Sequence, residues 1–345
     1  MRRPTTHATL IALLLASVFA TGCTAIEDAL FSRVMTANFS ATPPPIDGMR
    51  VVVCGSASPL GNLPERAQAC IAVLTEEHFF LFDVGARSPL RMAEARMPMK
   101  RLDGIFLTHF HSDHISAIPD VNLVSWVNGR RESLPIYGGP GVADIVRGFN
   151  TAYVHDQRYR VEHHGTETLA PAAGPMTAKA FTPGEIVFQD DLVTVTSFPV
   201  EHPPIEPAVG YRVDYRGRSV VISGDTNATE SLFRAAKGAD LVLHDALARH
   251  MLDDMIDITT EIGVPVLPKI MTDVIDYHAD SLTLEAAAEE AGVRQLVLYH
   301  LVPAAPQGIG ERIFRRGLSD DTILARDLHT FDLPADSTEI RISEP

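Results

Sequence analysis

Short apolar runs rich in Val, Ile, Leu and Phe recur along the chain, each closed by turn-forming residues. Runs of this kind read as buried strands. They predict strands over 49–54, 78–85, 102–109 and 134–139, then a second set over 192–200, 208–225, 239–245 and 294–300. The 208–225 stretch reads as a hairpin turning at Arg216-Gly217. Between these runs the apolar residues shift to helical spacing over 112–127, 141–153 and 281–292, the last closing on Gly292. Strand sets with helices interleaved predict an α/β sandwich, and the Pro/Gly/Thr-rich segment 165–190 is expected to join its two halves.

Polar residues able to hold a metal stand repeatedly where an apolar run ends. His109 and His111 follow "IFLT", His202 follows "SFPVE", Asp225 follows "VVISG", and His244 and His300 follow "LVL" and "LVLY". Strand ends on one rim are where loops converge on a site. In "THFHSDH" His109 and His111 are two apart, so in extended backbone they point the same way and can grip one ion. Asp113 and His114 come after the chain turns toward a helix and can face a second ion, and zinc accepts this mixture of imidazole and carboxylate.

The "FDVG" at 82–85, "THFHSDH" at 108–114, "VEHPPIEPAVGYRV", "VVISGDT" and "LVLYH" together resemble the metallo-β-lactamase superfamily, in its branch of ribonuclease Z and related phosphodiesterases and arylsulfatases. The resemblance implies the αββα sandwich of that family, two β-sheets flanked by helices. It also implies two zinc ions, with other divalent metals left open. His109, His111 and His202 would hold one ion, Asp113, His114 and His300 the other, and Asp225 with a water would bridge them. Asp83 would brace the metal loop. Asp113 would orient the attacking water and take up its proton. His278, in "DYHADSLTLEAA", corresponds to the branch's non-ligating catalytic histidine. His244 is expected to be structural, and "HH" at 163–164 to be solvated.

The N-terminus changes the expected setting. Arg2 and Arg3 precede an apolar stretch from Ala8 to Ala20, and small residues lead to Cys23. That layout is a secretory signal, too short to span a bilayer that needs ~20 apolar residues. "ATGC" resembles a bacterial lipoprotein box, so residues 1–22 are expected to be removed, 23–48 to be a linker and 49–345 the hydrolase domain. The protein is then exported, as a periplasmic or outer-membrane lipoprotein touching the membrane only through a lipid on Cys23. Cys54 and Cys70 are left to pair in an oxidising compartment or to stay as buried strand cysteines.

Net charge is −15, and about −17 without residues 1–22, which carry Arg2 and Arg3 and no acid. Such a surface repels polyanions. Bacterial ribonuclease Z also carries a long tRNA-clamping arm after its glycine-tyrosine-arginine strand, where this chain has only a tight turn. These two features argue against nucleic acid as a partner. The expectation is an exported binuclear zinc hydrolase of a small ester, a phosphodiester or aryl sulfate first. Alternatives are a lactonase or β-lactamase-type enzyme, a non-catalytic metal-binding lipoprotein, or an iron-bearing oxidoreductase of the same fold. Segment 246–277, longer than in ribonuclease Z, is either an extra helix packed on the core or on a second subunit of a homodimer, or an apolar lid over the substrate pocket.

Overall fold

In every central strand both faces are apolar because each sheet is covered twice, by the other sheet and by helices. The computed structural model describes residues 24, 26–37, 45–61 and 63–345. Strands β1 (Met49–Gly55), β2 (Cys70–Leu74), β3 (Phe79–Phe82), β4 (Gly104–Phe106), β5 (Leu134–Gly138) and β6 (Met176–Ala180) belong to the first sheet. The second holds β7 (Ile186–Gln189), β8 (Val193–His202), β9 (Ile205–Tyr215), β10 (Arg218–Ile222), β11 (Leu241–Leu247), β12 (Gln295–Val302) and β13 (Ile323–Leu324). The chain then returns to the first sheet with β14 (Thr330–Leu333) and β15 (Arg341–Ser343). The orders are β15-β14-β1-β2-β3-β4-β5-β6 and β13-β12-β11-β10-β9-β8-β7.

Alternation explains the layering. Val51 and Val53 of β1, Phe80 and Phe82 of β3, Val220 and Ile222 of β10, and Val297 and Tyr299 of β12 meet between the sheets. Their neighbours Val52 and Cys54 face outward into a cluster with Met92, Ile118 and Val121 of the covering helices. Val221 and Leu298 do the same beneath Leu232 and Leu284 on the other side. Full burial of each such side chain contributes about 1.5–3 kcal/mol. A register slip by one residue would exchange the two layers.

This is the αββα arrangement expected. The 208–225 hairpin is β9–β10, with Arg216 and Gly217 both at positive φ in its turn. Segment 165–190 differs from expectation: it contains β6 and β7, so the crossing between sheets is confined to 181–185. The helix expected over 141–153 runs to His164, its last turns exposed. Cys54 and Cys70 form a disulfide with their Cα atoms 4.9 Å apart.

Segment 246–277 folds as two helices, Arg249–Glu261 and Leu267–Asp273, followed by a short turn of 3-10 helix over Val274–Asp276. Leu252, Met271 and Val274 pack on Leu247 and Val302, while Ile258, Ile262, Val266 and Ile270 remain exposed. All strands lie in the unit Pro45–Pro345. The unit Met1–Pro44 shows a helical segment over 26–37 where a linker was expected. The expected signal and Cys23 lie outside the described residues, among which no helix is long and apolar enough to cross a membrane.

Candidate metal centre

The site forms where β4, β8, β10 and β12 end on one rim. At the end of β3 the backbone of Asp83 takes a positive φ of 56°, which turns its carboxylate under the loop that follows β4. Asp83 accepts hydrogen bonds from Thr108 N (2.9 Å) and Thr108 Oγ1 (2.7 Å) and sits 2.8 Å from His114 Nδ1. The side chain thus fixes which nitrogen of His114 faces the site, namely Nε2. Val84 N donates to His114 O (2.7 Å), which ties the "FDVG" and "THFHSDH" segments together through backbone as well. Asp113 and His114 lie on the short helix Ser112–Ile115. Asp225 follows Gly224, whose φ of 65° leaves no room for a side chain: a Cβ there would stand 2.7 Å from Thr108 Cβ.

Among the described residues two groups of metal-ligating atoms result, each with its members within 4.8 Å of one another: His109, His111, His202 and Asp225, and Asp113, His114, Asp225 and His300. Asp225 belongs to both. Its Oδ2 lies 3.9 Å from His109 Nε2, 3.8 Å from His202 Nε2 and 3.2 Å from His114 Nε2, and its Oδ1 lies 3.4 Å from His300 Nδ1. Asp113 Oδ2 lies 3.1 Å from His300 Nε2 and 3.4 Å from His114 Nε2. All of these residues are buried except His111, which is exposed.

The donor set fits a cation. His109 Nε2, both ring nitrogens of His202, Asp225 Oδ1 and His300 Nδ1 are buried without hydrogen-bond partners, and buried polar atoms in that state are costly unless something else binds them. Burial, and then repulsion from His114, holds the His109 imidazole well below its ordinary pKa, and burial pushes His202 down to about 4. Both rings are therefore neutral and ready to ligate. Burial would also lower His114, but the carboxylates of Asp225, Asp83 and Asp113 override it and raise it well above the ordinary value. Burial likewise pushes Asp113 up, and the facing His114 and His300 outweigh it, so Asp113 stays ionised. The clusters are able to bind metal, and a metal would replace the proton that the acids hold on His114.

His278 belongs to neither group. Its ring stands 5.5 Å from the ring of His300 and 6.0 Å from that of His202, at the edge of the same cavity. Its Nδ1 is 2.8 Å from Asp245 Oδ2. Asp245 Oδ1 meets His244 Nδ1 at 3.0 Å and accepts from Thr226 N at 3.3 Å. Burial raises the Asp245 carboxyl, and hydrogen bonds from His244 and His278 more than reverse this. Sequence reasoning gave His244 a structural role but passed over Asp245, although "LVLHD" is the same run-then-acid pattern that marked the other strand ends. His163 and His164 end the helix Val142–His164, exposed and outside both groups. His250 Nε2 contacts Ile313 O, and His329 Nδ1 accepts from Arg326 N.

The description "Beta-lactamase superfamily domain" matches residues 80–301. A ribonuclease Z of Mycobacterium bovis (strain BCG / Pasteur 1173P2) is 34% identical over 267 residues, covering 76% of this chain and 90% of that one. Among solved structures, the metallo-beta-lactamase fold protein YhfI from Bacillus subtilis superimposes with a TM-score of 0.58 at 20% identity, over 82% of this chain and 99% of that one. The short form of human tRNase Z does so with a TM-score of 0.55 at 20% identity, over 83% and 99%.

The relatives correct two expectations. The small-ester assignment, with its lactonase, β-lactamase and non-catalytic alternatives, and the argument against a nucleic-acid partner are overturned by relatives named for ribonuclease activity. The physical reason is one of scale. Net charge describes the whole surface, whereas catalysis depends on the local charge of one rim. The tight β9–β10 turn shows the lack of one RNA-holding device and leaves the chemistry of the centre unchanged.

Proposed function

Because the chain belongs to the beta-lactamase superfamily, we propose that this metal-dependent hydrolase holds two zinc ions and cleaves a phosphodiester bond in RNA, as its ribonuclease Z relatives are named for doing. The observation that carries this is the sharing of Asp225 by two complete ligand groups, in a chain 34% identical to a ribonuclease Z across nine-tenths of that protein's length.

His109, His111 and His202 would hold one ion, Asp113, His114 and His300 the other, and Asp225 both. When bound, the metals supply Lewis acidity and a nucleophile at neutral pH. Two divalent ions outweigh the carboxylates of Asp113 and Asp225, which favours an anionic phosphodiester despite the acidic surface. Asp113, kept ionised by its histidine neighbours, accepts a hydrogen bond from the attacking water and orients it. His278 reaches the cavity with Nδ1 fixed on Asp245. With Nδ1 held there, Nε2 is the nitrogen that faces the cavity and hands a proton to the leaving oxygen. The N-terminal signal pattern and the Cys54–Cys70 disulfide support an exported setting, and cell fractionation with and without Cys23→Ser tests it.

The test of function is incubation of the purified chain, with its zinc measured, on an RNA carrying a 3′ trailer beyond a folded stem. Endonucleolytic cleavage that stops on chelation and returns with zinc is the expected result. A zinc-loaded protein that leaves this RNA intact would overturn the reading.

A further inference from the structure

A cavity of about 340 Å³ opens on the metal centre, and its lining is of two kinds. One is polar: His111, Asp113, Asp225 and His300 of the ligand groups, with His278. Besides Ser58 and Ser112, the rest of the lining is apolar or aromatic: Pro59 and Leu60 from the disulfide-closed loop, Val302 from β12, and Ile270, Val274 and Tyr277 from segment 246–277. Ile270 and Val274 are four apart where the helix Leu267–Asp273 runs into the turn after it, so they stand one above the other on one face. Met271 between them is fully buried and packs with Leu252 and Val302, which holds that face in place. Tyr277 is fixed as well, its ring stacked on that of His202 at 4.5 Å with 15° between planes.

The wall is therefore packed from behind, apolar and aromatic-edged, with no charged side chain of 246–277 in the lining. Its size lies near the lower end of ligand pockets, roughly 300–1,000 Å³. A paired helix cannot enter such a space. An unpaired nucleotide can, because its base offers two apolar faces that stack without sequence preference.

We infer that this wall is a binding subsite for one unpaired nucleobase, that of the nucleotide 5′ to the scissile phosphate: the water oxygen bonds to phosphorus, the P–O3′ bond breaks, and the departing O3′ takes its proton from His278. The position follows from His278, which stands at the Tyr277 end of the cavity, their rings 4.9 Å apart. The subsite rests on the RNA phosphodiesterase reading and adds what that reading lacks, namely how a chain with a tight β9–β10 turn selects its RNA. Helix Leu267–Asp273 does locally, at one base, part of what a clamping arm would do at a distance.

Two RNA oligonucleotides test this, identical except that the nucleotide 5′ to the cleaved phosphate carries its base in one and is an abasic ribose in the other. The zinc-loaded wild type is expected to favour the base-bearing RNA by roughly tenfold in kcat/KM, the size of one stacking contact. Ile270→Ser and Val274→Ser are each expected to bring that preference below about threefold, chiefly through KM. Ile262→Ser, exposed on the same segment but outside the lining, should keep it. Thermal melting of each variant confirms that it is folded. Equal kcat/KM on both RNAs in the wild type, or a preference untouched by both lining substitutions, overturns the subsite while leaving the phosphodiesterase standing. Zinc-loaded protein that cuts neither RNA overturns the phosphodiesterase reading and the subsite with it.

Discussion

His278 Nδ1 lies 2.8 Å from Asp245 Oδ2, and the carboxylate's other oxygen is engaged by His244 Nδ1 at 3.0 Å. One buried acid thus sets the orientation of a histidine in the cavity and is itself held by a second histidine beneath it. Asp245→Asn preserves the shape but offers an amide in place of a full negative charge. It is expected to lower kcat by about 10–100-fold, the range for residues that orient a working side chain. Zinc content and KM should stay near wild type, since no ligand is touched. A loss confined to KM would show that Asp245 acts only in binding.

Asp225 is the single residue common to both ligand groups, whereas His111 belongs to one and His300 to the other. Metal analysis of three variants separates these positions. His300→Ala and His111→Ala are each expected to retain about one zinc, and Asp225→Ala close to none, because ligand loss weakens the site it belongs to. Activity should fall more than about 100-fold in all three, beyond the effect of a supporting residue. Full zinc occupancy in Asp225→Ala would show that the two groups do not share it.

Much of this centre was legible in the sequence because the metal ligands follow hydrophobic runs, and a run that ends in histidine or aspartate is visible without coordinates. His109, His111, His202, Asp225 and His300 stand out that way, Asp113 and His114 through the "THFHSDH" string, and the structure brings these seven together. Asp245 was missed because it sits at the end of such a run beside a histidine, where the pair reads as interior. The strands β2, β6, β7, β13, β14 and β15 were not foreseen either. Apart from β2, a short buried run inside the first sheet, they lie at or near the edges of the sheets, and all five carry exposed or half-buried residues that break the apolar pattern. Substrate was misjudged because charge was read over the entire chain, while the cavity beside the two ligand groups is lined by residues from Ser58 to Val302.

Gly85 is held tightly against the metal loop. A Cβ there would stand 2.1 Å from Asp113 O and 2.7 Å from Gln68 Cβ. Backbone cannot retreat without moving Asp113, so Gly85→Ala should destabilise the fold by about 1–3 kcal/mol, as overpacking does. Urea unfolding measures that, and zinc content should fall with it because Asp113 is displaced. A variant with wild-type stability and zinc would show that the loop has more slack than its contacts suggest.

Tyr215 donates to Glu77 Oε2 at 2.6 Å across the base of the sandwich. Burial, then the hydrogen bond to Glu77, pushes its phenol up to about 12. A phenol whose folded pKa exceeds the unfolded value of ~10 favours folding in its neutral form. That contribution is complete below pH ~10 and disappears as pH climbs from there toward about 12. Tyr215→Phe has no proton to lose, so the difference in stability between wild type and variant should shrink over that window. Unfolding free energies at pH 8 and pH 11 decide it; a constant difference would mean the pair is not what the phenol titrates against.

The Cys54–Cys70 bridge closes the loop that carries Leu60, one side of the cavity wall, and its partners are 16 residues apart. A cross-link over a loop of about 15 residues restricts the unfolded chain by roughly 3 kcal/mol. The double variant Cys54→Ser, Cys70→Ser should lose about that much in urea unfolding, and reductant should have no further effect on it. None of the proposed metal ligands lies between the two cysteines, so zinc content should hold while KM for RNA rises as Leu60 is released. Loss of zinc together with stability would place the loop in the support of the metal centre rather than of the cavity wall alone.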